Sequence, residues 1–190
     1  MGIGEGTTLT GMLRFGSDVW TVQVGDGTAE LLEREGRVVP LSVEAKLDDP
    51  HYRKGAIARG GLVWGLPLEV GGKTHLLDSR LLVYYTDGIV RPILNMARSF
   101  GDPHVIGRTE RAKVTRVDFH EEEVVAVMSD GMTATHAREE VSKWIRNALR
   151  RAGGDLQRAA ALAVQKAYEQ GSPDNITLSL YRYGSGRRSS

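Results

Sequence analysis

Glu123-Val124-Val125-Ala126-Val127-Met128-Ser129-Asp130-Gly131 is a short apolar run, rich in β-branched residues, that stops at an Asp-Gly pair. That pattern predicts a buried strand ending at Asp130. Downstream, Ile176, Leu178 and Leu180 alternate with Thr177, Ser179 and Tyr181, the period of a half-buried strand that begins just after Asp174. Between the two runs, Val141, Trp144, Ile145, Ala148, Leu149 and Ala152 mark one face of a helix that stops at Gly153-Gly154. Asp155 is a good N-cap for a second helix through Leu156, Ala160, Ala163, Val164 and Ala167, closing at Gly171. Strand, helix, helix and strand bring the chain back antiparallel to itself. The C-end of the first strand and the N-end of the second then share one edge, where Asp130 and Asp174 are expected to meet.

Two carboxylates at close range repel and raise each other's pKa, a penalty that a divalent cation removes. Hard oxygen donors suit magnesium or manganese. Asp-Gly and Pro-Asp-Asn are also ordinary turn chemistry, so the residue types alone leave both readings open.

The 190 residues suffice for one well-buried domain, and 25 basic against 24 acidic residues leave a net charge of +1. Bulk charge therefore implies no nucleic-acid or membrane partner. The absence of cysteine excludes disulfides, thiolate metal sites and cysteine nucleophiles, and suits a reducing, cytoplasmic setting. No apolar run has the length of a membrane span, and Met1–Thr8 lacks the regions of a signal peptide.

The first forty residues read as β-structure, with strands over Thr7–Phe15, Val19–Val24, Ala29–Arg34 and Val38–Leu41 separated by Gly-rich turns. Asp49-Pro50 opens a short helix through Ile57, with proline at its first position. Residues 62–92 read as a hairpin or a surface insertion, Asn95–Phe100 as one or two helical turns, and Lys113–Phe119 as a strand. The tail, 184–190, is too polar to pack and is expected to be disordered. Arg146, Arg150 and Arg151 read as a solvated helix face, and the five histidines show no metal-binding spacing.

Four motifs occur in order: Val24-Gly25-Asp26-Gly27-Thr28-Ala29, Ala97-Arg98-Ser99-Phe100-Gly101-Asp102, Met128-Ser129-Asp130-Gly131 and Gly171-Ser172-Pro173-Asp174-Asn175-Ile176-Thr177. Their succession resembles the metal-dependent serine/threonine protein phosphatases of the PPM (type 2C) family. Gly4-Glu5-Gly6-Thr7-Thr8 is similar to that family's Ser-Gly-Thr-Thr lead-in to a core strand, and Ala58-Arg59-Gly60-Gly61 to its Ala-Gly-Gly turn. The resemblance runs to Tyr183, so residues 1–183 are expected to form one PPM-like domain, with 62–92 in the place of the family's variable flap. It implies an α+β fold, a sandwich of two antiparallel sheets flanked by helix pairs. It also implies metal-ligand roles for Asp130 and Asp174, and for Asp26 at a more weakly held third metal. Asn175 and Gly131 would support the ligands from behind, and Arg98 and Asp102 would be structural residues near the site.

The family's phosphate-binding arginine and Phe-Asp-Gly-His-Gly-like motif, whose aspartate bridges two metals, are not matched, and the fold is expected to be N-terminally truncated. Where the family often places another acid after Asp130-Gly131, this chain has Met132-Thr133-Ala134-Thr135. Tyr84-Tyr85-Thr86-Asp87-Gly88 is superficially like the unmatched motif but lacks the His-Gly that follows it, so Asp87 is better explained as a turn residue. The expectation is weak magnesium or manganese binding and an impaired, pseudophosphatase-like domain with a binding or regulatory role toward a phosphoprotein or another protein. The alternative is an active protein serine/threonine phosphatase whose missing strands come from upstream or from another chain. Without those strands a sheet edge is expected to lie open, a place for a homodimer to form.

Overall fold

The computed structural model describes residues 6–58, 62–70, 73–84, 90–94, 100–101 and 112–183. In chain order the strands are β1 (Gly6–Thr7), β2 (Leu9–Phe15), β3 (Asp18–Val24), β4 (Thr28–Leu32), β5 (Val38–Pro40), β6 (Leu62–Val70), β7 (Lys73–Tyr84), β8 (Val90–Leu94), β9 (Phe100–Gly101), β10 (Lys113–Asp118), β11 (Val124–Met128) and β12 (Leu178–Arg182). The helices are α1 (Pro50–Ala58), α2 (Arg138–Arg151) and α3 (Leu156–Glu169), with a 3₁₀ turn over Asp130–Met132. These elements form two compact units: Met1–Leu9, Val24–Asp26 and Glu44–Ala112 in one, and Thr10–Gln23, Gly27–Val43 and Lys113–Ser190 in the other.

The second unit is a β-sandwich with a helical layer. One sheet has the order β10-β3-β2 and the other β12-β11-β4-β5. β11 runs antiparallel to both neighbours, with Met128 opposite Leu178 on β12 and Thr28 on β4. The two-residue periodicity divides β11 cleanly. Val125 and Val127 face the other sheet, in a core with Val19, Ala29, Leu31, Leu41 and Phe119. Val124, Ala126 and Met128 face the helices, in a core with Val141, Ile145 and Ala148 of α2 and Ala159, Ala163 and Ala167 of α3. The α3 alanines recur every fourth residue, a small-residue stripe that lets the helix lie close to its neighbours. The expected strand–helix–helix–strand unit is therefore present, closed by the Asp155 carboxylate, which accepts from the Arg158 N–H at 3.0 Å.

The first unit holds α1, the short pair β1-β9 and a three-stranded antiparallel sheet in the order β6-β7-β8. The described residues within 62–92 thus pair as antiparallel strands, in keeping with the hairpin reading. Of Asn95–Phe100, only Phe100 lies among the described residues, and it is in a strand rather than a helix. No helix is long and apolar enough to cross a membrane among the described residues.

Two expectations about polar residues change. Arg146 is not on a solvated face: its guanidinium donates to the carbonyls of Glu33 and Arg37, at the turn between β4 and β5. Glu30, in the middle of β4, is fully buried, with its carboxylate 3.2 Å from Arg138 Nε and 2.9 Å from Ser142 Oγ. Arg138 also donates to the carbonyls of Ala29 at 2.6 Å and Ser42 at 3.3 Å. Burial pushes the Glu30 carboxyl above the usual carboxylate range, against the opposing pull of Ser142, Arg138 and Arg146.

Candidate functional site

β11 ends at Met128, and the chain turns at once into the 3₁₀ segment that carries Asp130. The turn is held by Asp130's own carbonyl, which accepts from the Thr133 N–H at 2.9 Å and from Thr133 Oγ1 at 3.2 Å. On the adjacent strand, residues 172–177 lead into β12, and four hydrogen bonds bind the two loops together. The Ser129 N–H donates to the Thr177 carbonyl at 3.1 Å. Ser129 Oγ donates to the Asn175 carbonyl at 2.9 Å and accepts from the Thr177 N–H at 3.0 Å. Ser172 Oγ donates to the Gly131 carbonyl at 2.7 Å.

Gly131 explains why the loops lie so close. A Cβ at this position would stand 2.3 Å from the Asn175 carbonyl oxygen and 2.9 Å from its carbon, so only glycine admits the approach. Asp130, partly exposed, and Asp174, exposed, therefore sit on two segments fastened to each other at the same end of the β11–β12 pair. Asn175 meets Asp174 through its main-chain N–H, which donates to Asp174 Oδ1 at 2.6 Å. That bond fixes the Asp174 carboxylate without using the Asn175 side chain.

Asp26, in the first unit, is buried, and the neighbouring Gly25 carbonyl accepts from the Ala45 N–H at 3.0 Å. The Asp26 charge acts on Lys46 in the same unit: burial works to lower the Lys46 pKa, but Glu44, Asp48 and Asp26 raise it overall. Asp87, Arg98 and Asp102 lie outside the described residues. His136, the histidine nearest Asp130 in sequence, packs edge-on against Trp144 with ring centres 4.7 Å apart, and its Nδ1 is 2.9 Å from Thr135 Oγ1. That is a packing role.

Among the described residues no three His, Cys, Asp or Glu side chains gather to hold a metal ion. The residues that would hold a hard cation here are Asp130 and Asp174, the two carboxylates on the fastened loops.

Residues 3–176 match the family model described as "Protein phosphatase 2C". The chain belongs to the protein phosphatase 2C family. "Probable protein phosphatase 2C 11" of Arabidopsis thaliana is 28% identical over 183 residues, covering 94% of this chain and 42% of that protein. "Probable protein phosphatase 2C 41" of Oryza sativa is 27% identical over 96% of this chain and 56% of its own length. A phosphatase from Toxoplasma gondii shares the fold with a TM-score of 0.65 at 23% identity, over 86% of this chain and 47% of the other. The catalytic domain of the serine threonine protein phosphatase PstP, solved with two manganese ions, aligns with a TM-score of 0.57 at 17% identity, over 92% and 57%. This protein phosphatase 2C chain therefore spans about half the length of the relatives it matches. Its α+β architecture, with two antiparallel sheets and a helix pair, is that of the family's solved structures.

Proposed function

We propose that this chain is a protein phosphatase 2C-like domain that holds one magnesium or manganese ion weakly, through Asp130 and Asp174, and acts by binding rather than by turnover. The observation that carries the reading is the fastening of the Ser129–Gly131 and Ser172–Thr177 loops without a third converging carboxylate among the described residues. A cation held by two carboxylates would lose most of its affinity when either loses its charge. The family's chemistry, a metal-activated water attacking a phosphate, belongs to two metals sharing a bridging ligand. Its partner on this reading is a phosphoprotein or another protein that recognises the same surface.

Manganese calorimetry paired with phosphopeptide and nitrophenyl-phosphate assays tests this. Weak binding that disappears in Asp130→Asn and Asp174→Asn, with no turnover in the unsubstituted chain, is the expected result. Turnover by the purified chain that is lost in either variant would overturn it.

A second reading is an active serine/threonine phosphatase completed by strands supplied from upstream or by another chain, with Asp26 at a third metal. One structural observation favours it: among the described residues β2 pairs only with β3, so its other edge is open to a further strand. The outward face there carries Leu13, 65% exposed, and Phe15, 80% exposed, with Trp20 and Val114 on the neighbouring strands. The one charged side chain of β2, Arg14, bonds the Gly16 carbonyl and Tyr181 Oη and stacks 4.0 Å from the Tyr183 ring centre. An edge without a charged guard is a surface made for pairing, a second copy of the chain included. Phosphatase activity appearing on addition of the upstream segment would select this reading over the first.

A further inference from the structure

At the end of the β12-β11-β4 ladder opposite Asp130, Val124 pairs with both Arg182 and Leu32. The distance from Val124 to Met128 along the strand is about 13 Å. There a cleft of about 760 Å³ opens between the turn after β4 and the last two turns of α2. Its lining includes three apolar side chains, Leu32, Val124 and Leu149, of which Leu149 is partly exposed and the other two are buried. Its walls are cationic, with Lys143, Arg146, Arg150 and Arg182.

The lining holds five cations, Arg34 with those four, against three carboxylates, Glu33, Glu35 and Glu122, so a net positive charge remains. Glu122 is paired with Arg34 at 3.1 Å, and Glu33 faces Arg37 at 3.9 Å, whereas none of the four wall cations is in an ion pair among the described residues. The arginines are fixed in place by neutral acceptors: Arg146 by the Glu33 and Arg37 carbonyls, Arg182 by the Gly154 carbonyl, and Arg150 by the Asn147 side chain. Those bonds use terminal nitrogens. The Nε–H groups of Arg146 and Arg182 are buried with no acceptor among the described residues. A guanidinium is a donor only, and a buried donor calls for an oxygen acceptor.

We infer that this cleft binds an acidic peptide segment of another protein, with a bulky apolar residue on Leu149 and flanking carboxylates against the wall cations. The partly exposed Leu149 side chain favours a peptide that carries an apolar residue over a free inorganic anion, which would leave it uncovered. The cationic walls select acidic flanks, since complementary charge sets specificity and approach. This inference goes beyond the metal-binding reading and does not depend on it, because neither metal nor turnover enters its test.

The probe is a fluorescein-labelled Glu-Glu-Leu-Leu-Glu-Glu peptide, titrated with the full chain and read by fluorescence anisotropy. Saturable binding is expected, weakened roughly tenfold or more by Lys143→Glu combined with Arg150→Glu, both on the exposed rim. Lys113→Glu, an exposed charge change on β10, should leave the affinity unchanged while showing the same circular dichroism. A peptide with serines in place of the leucines should bind much more weakly. The inference fails if the double variant binds like Lys113→Glu, if the serine peptide binds as tightly as the leucine one, or if inorganic phosphate displaces the peptide at equal concentration.

Discussion

Replacing Arg138 with methionine should expose how the buried Glu30 is tolerated. The substitution removes three hydrogen bonds, to the Glu30 carboxylate and to the carbonyls of Ala29 and Ser42, and leaves only the Ser142 hydroxyl on a carboxylate with no exposure. Breaking a buried pair in this way costs about 3–5 kcal/mol. Protonation limits the electrostatic share. Neutralising a carboxyl of ordinary pKa 4.5 costs about 4 kcal/mol at about pH 7.5 and about 1.4 kcal/mol at about pH 5.5. The sign follows from linkage. A carboxyl whose folded pKa is raised contributes stability that is complete below its unfolded value and is lost as pH rises through the folded value. Arg138→Met raises the folded pKa further, so the variant should lose more stability than the unsubstituted chain between mildly acidic and neutral pH. The deficit should be smaller at about pH 5.5 than at about pH 7.5. Urea unfolding followed by tryptophan fluorescence measures it, Trp144 reporting directly because it packs against the helix-side core. A deficit below about 1 kcal/mol, or one that is the same at both pH values, would refute the reasoning.

Gly131→Ala drives a methyl group into the Asn175 backbone, so it should cost about 1–3 kcal/mol and weaken manganese binding, as seen by thermal melts and calorimetry. Asp155→Ala removes the cap of α3 and should cost about 1 kcal/mol, with the loss of hydrogen-exchange protection concentrated in the first turn of that helix. Phe15→Lys changes a residue that is 80% exposed, so stability should move by less than about 0.5 kcal/mol. If the β2 edge pairs with a second copy, the same variant shifts light scattering from dimer to monomer. A monomer at every concentration of the unsubstituted chain would remove that partner.

The strand–helix–helix–strand unit was legible because each signal in it is local. A β-branched run gives β11, a heptad-like apolar stripe gives α2, and a carboxylate before Leu156 gives the start of α3. The meeting of the Asp130 and Asp174 loops followed from chain direction alone. The Glu30–Arg138–Ser142 group was not legible, because Glu30 lies more than a hundred residues from Arg138 and Ser142 and meets them only when α2 lies on β4. A signal was present: Glu30 is the only charged residue in the strand Thr28–Leu32, at a position whose neighbours by twos face the helices. Arg146 misled for a related reason. Its helical position is polar, but the turn between β4 and β5 comes up to meet it, and periodicity carries no information about an approaching loop.

The Ser129 hydroxyl works as a one-atom rung that continues the β11–β12 ladder past its last paired residues, and it reaches the loop of Asp174, which leads into β12, the strand at the border of the sheet. Border strands open before central ones when a protein breathes. Each opening that reaches Thr177 would carry Asp174 away from Asp130, so the two carboxylates share a site only while that strand stays zipped. Whatever clasps β12 from outside would then set how much of the time the pair exists, acting on a cation without ever touching it.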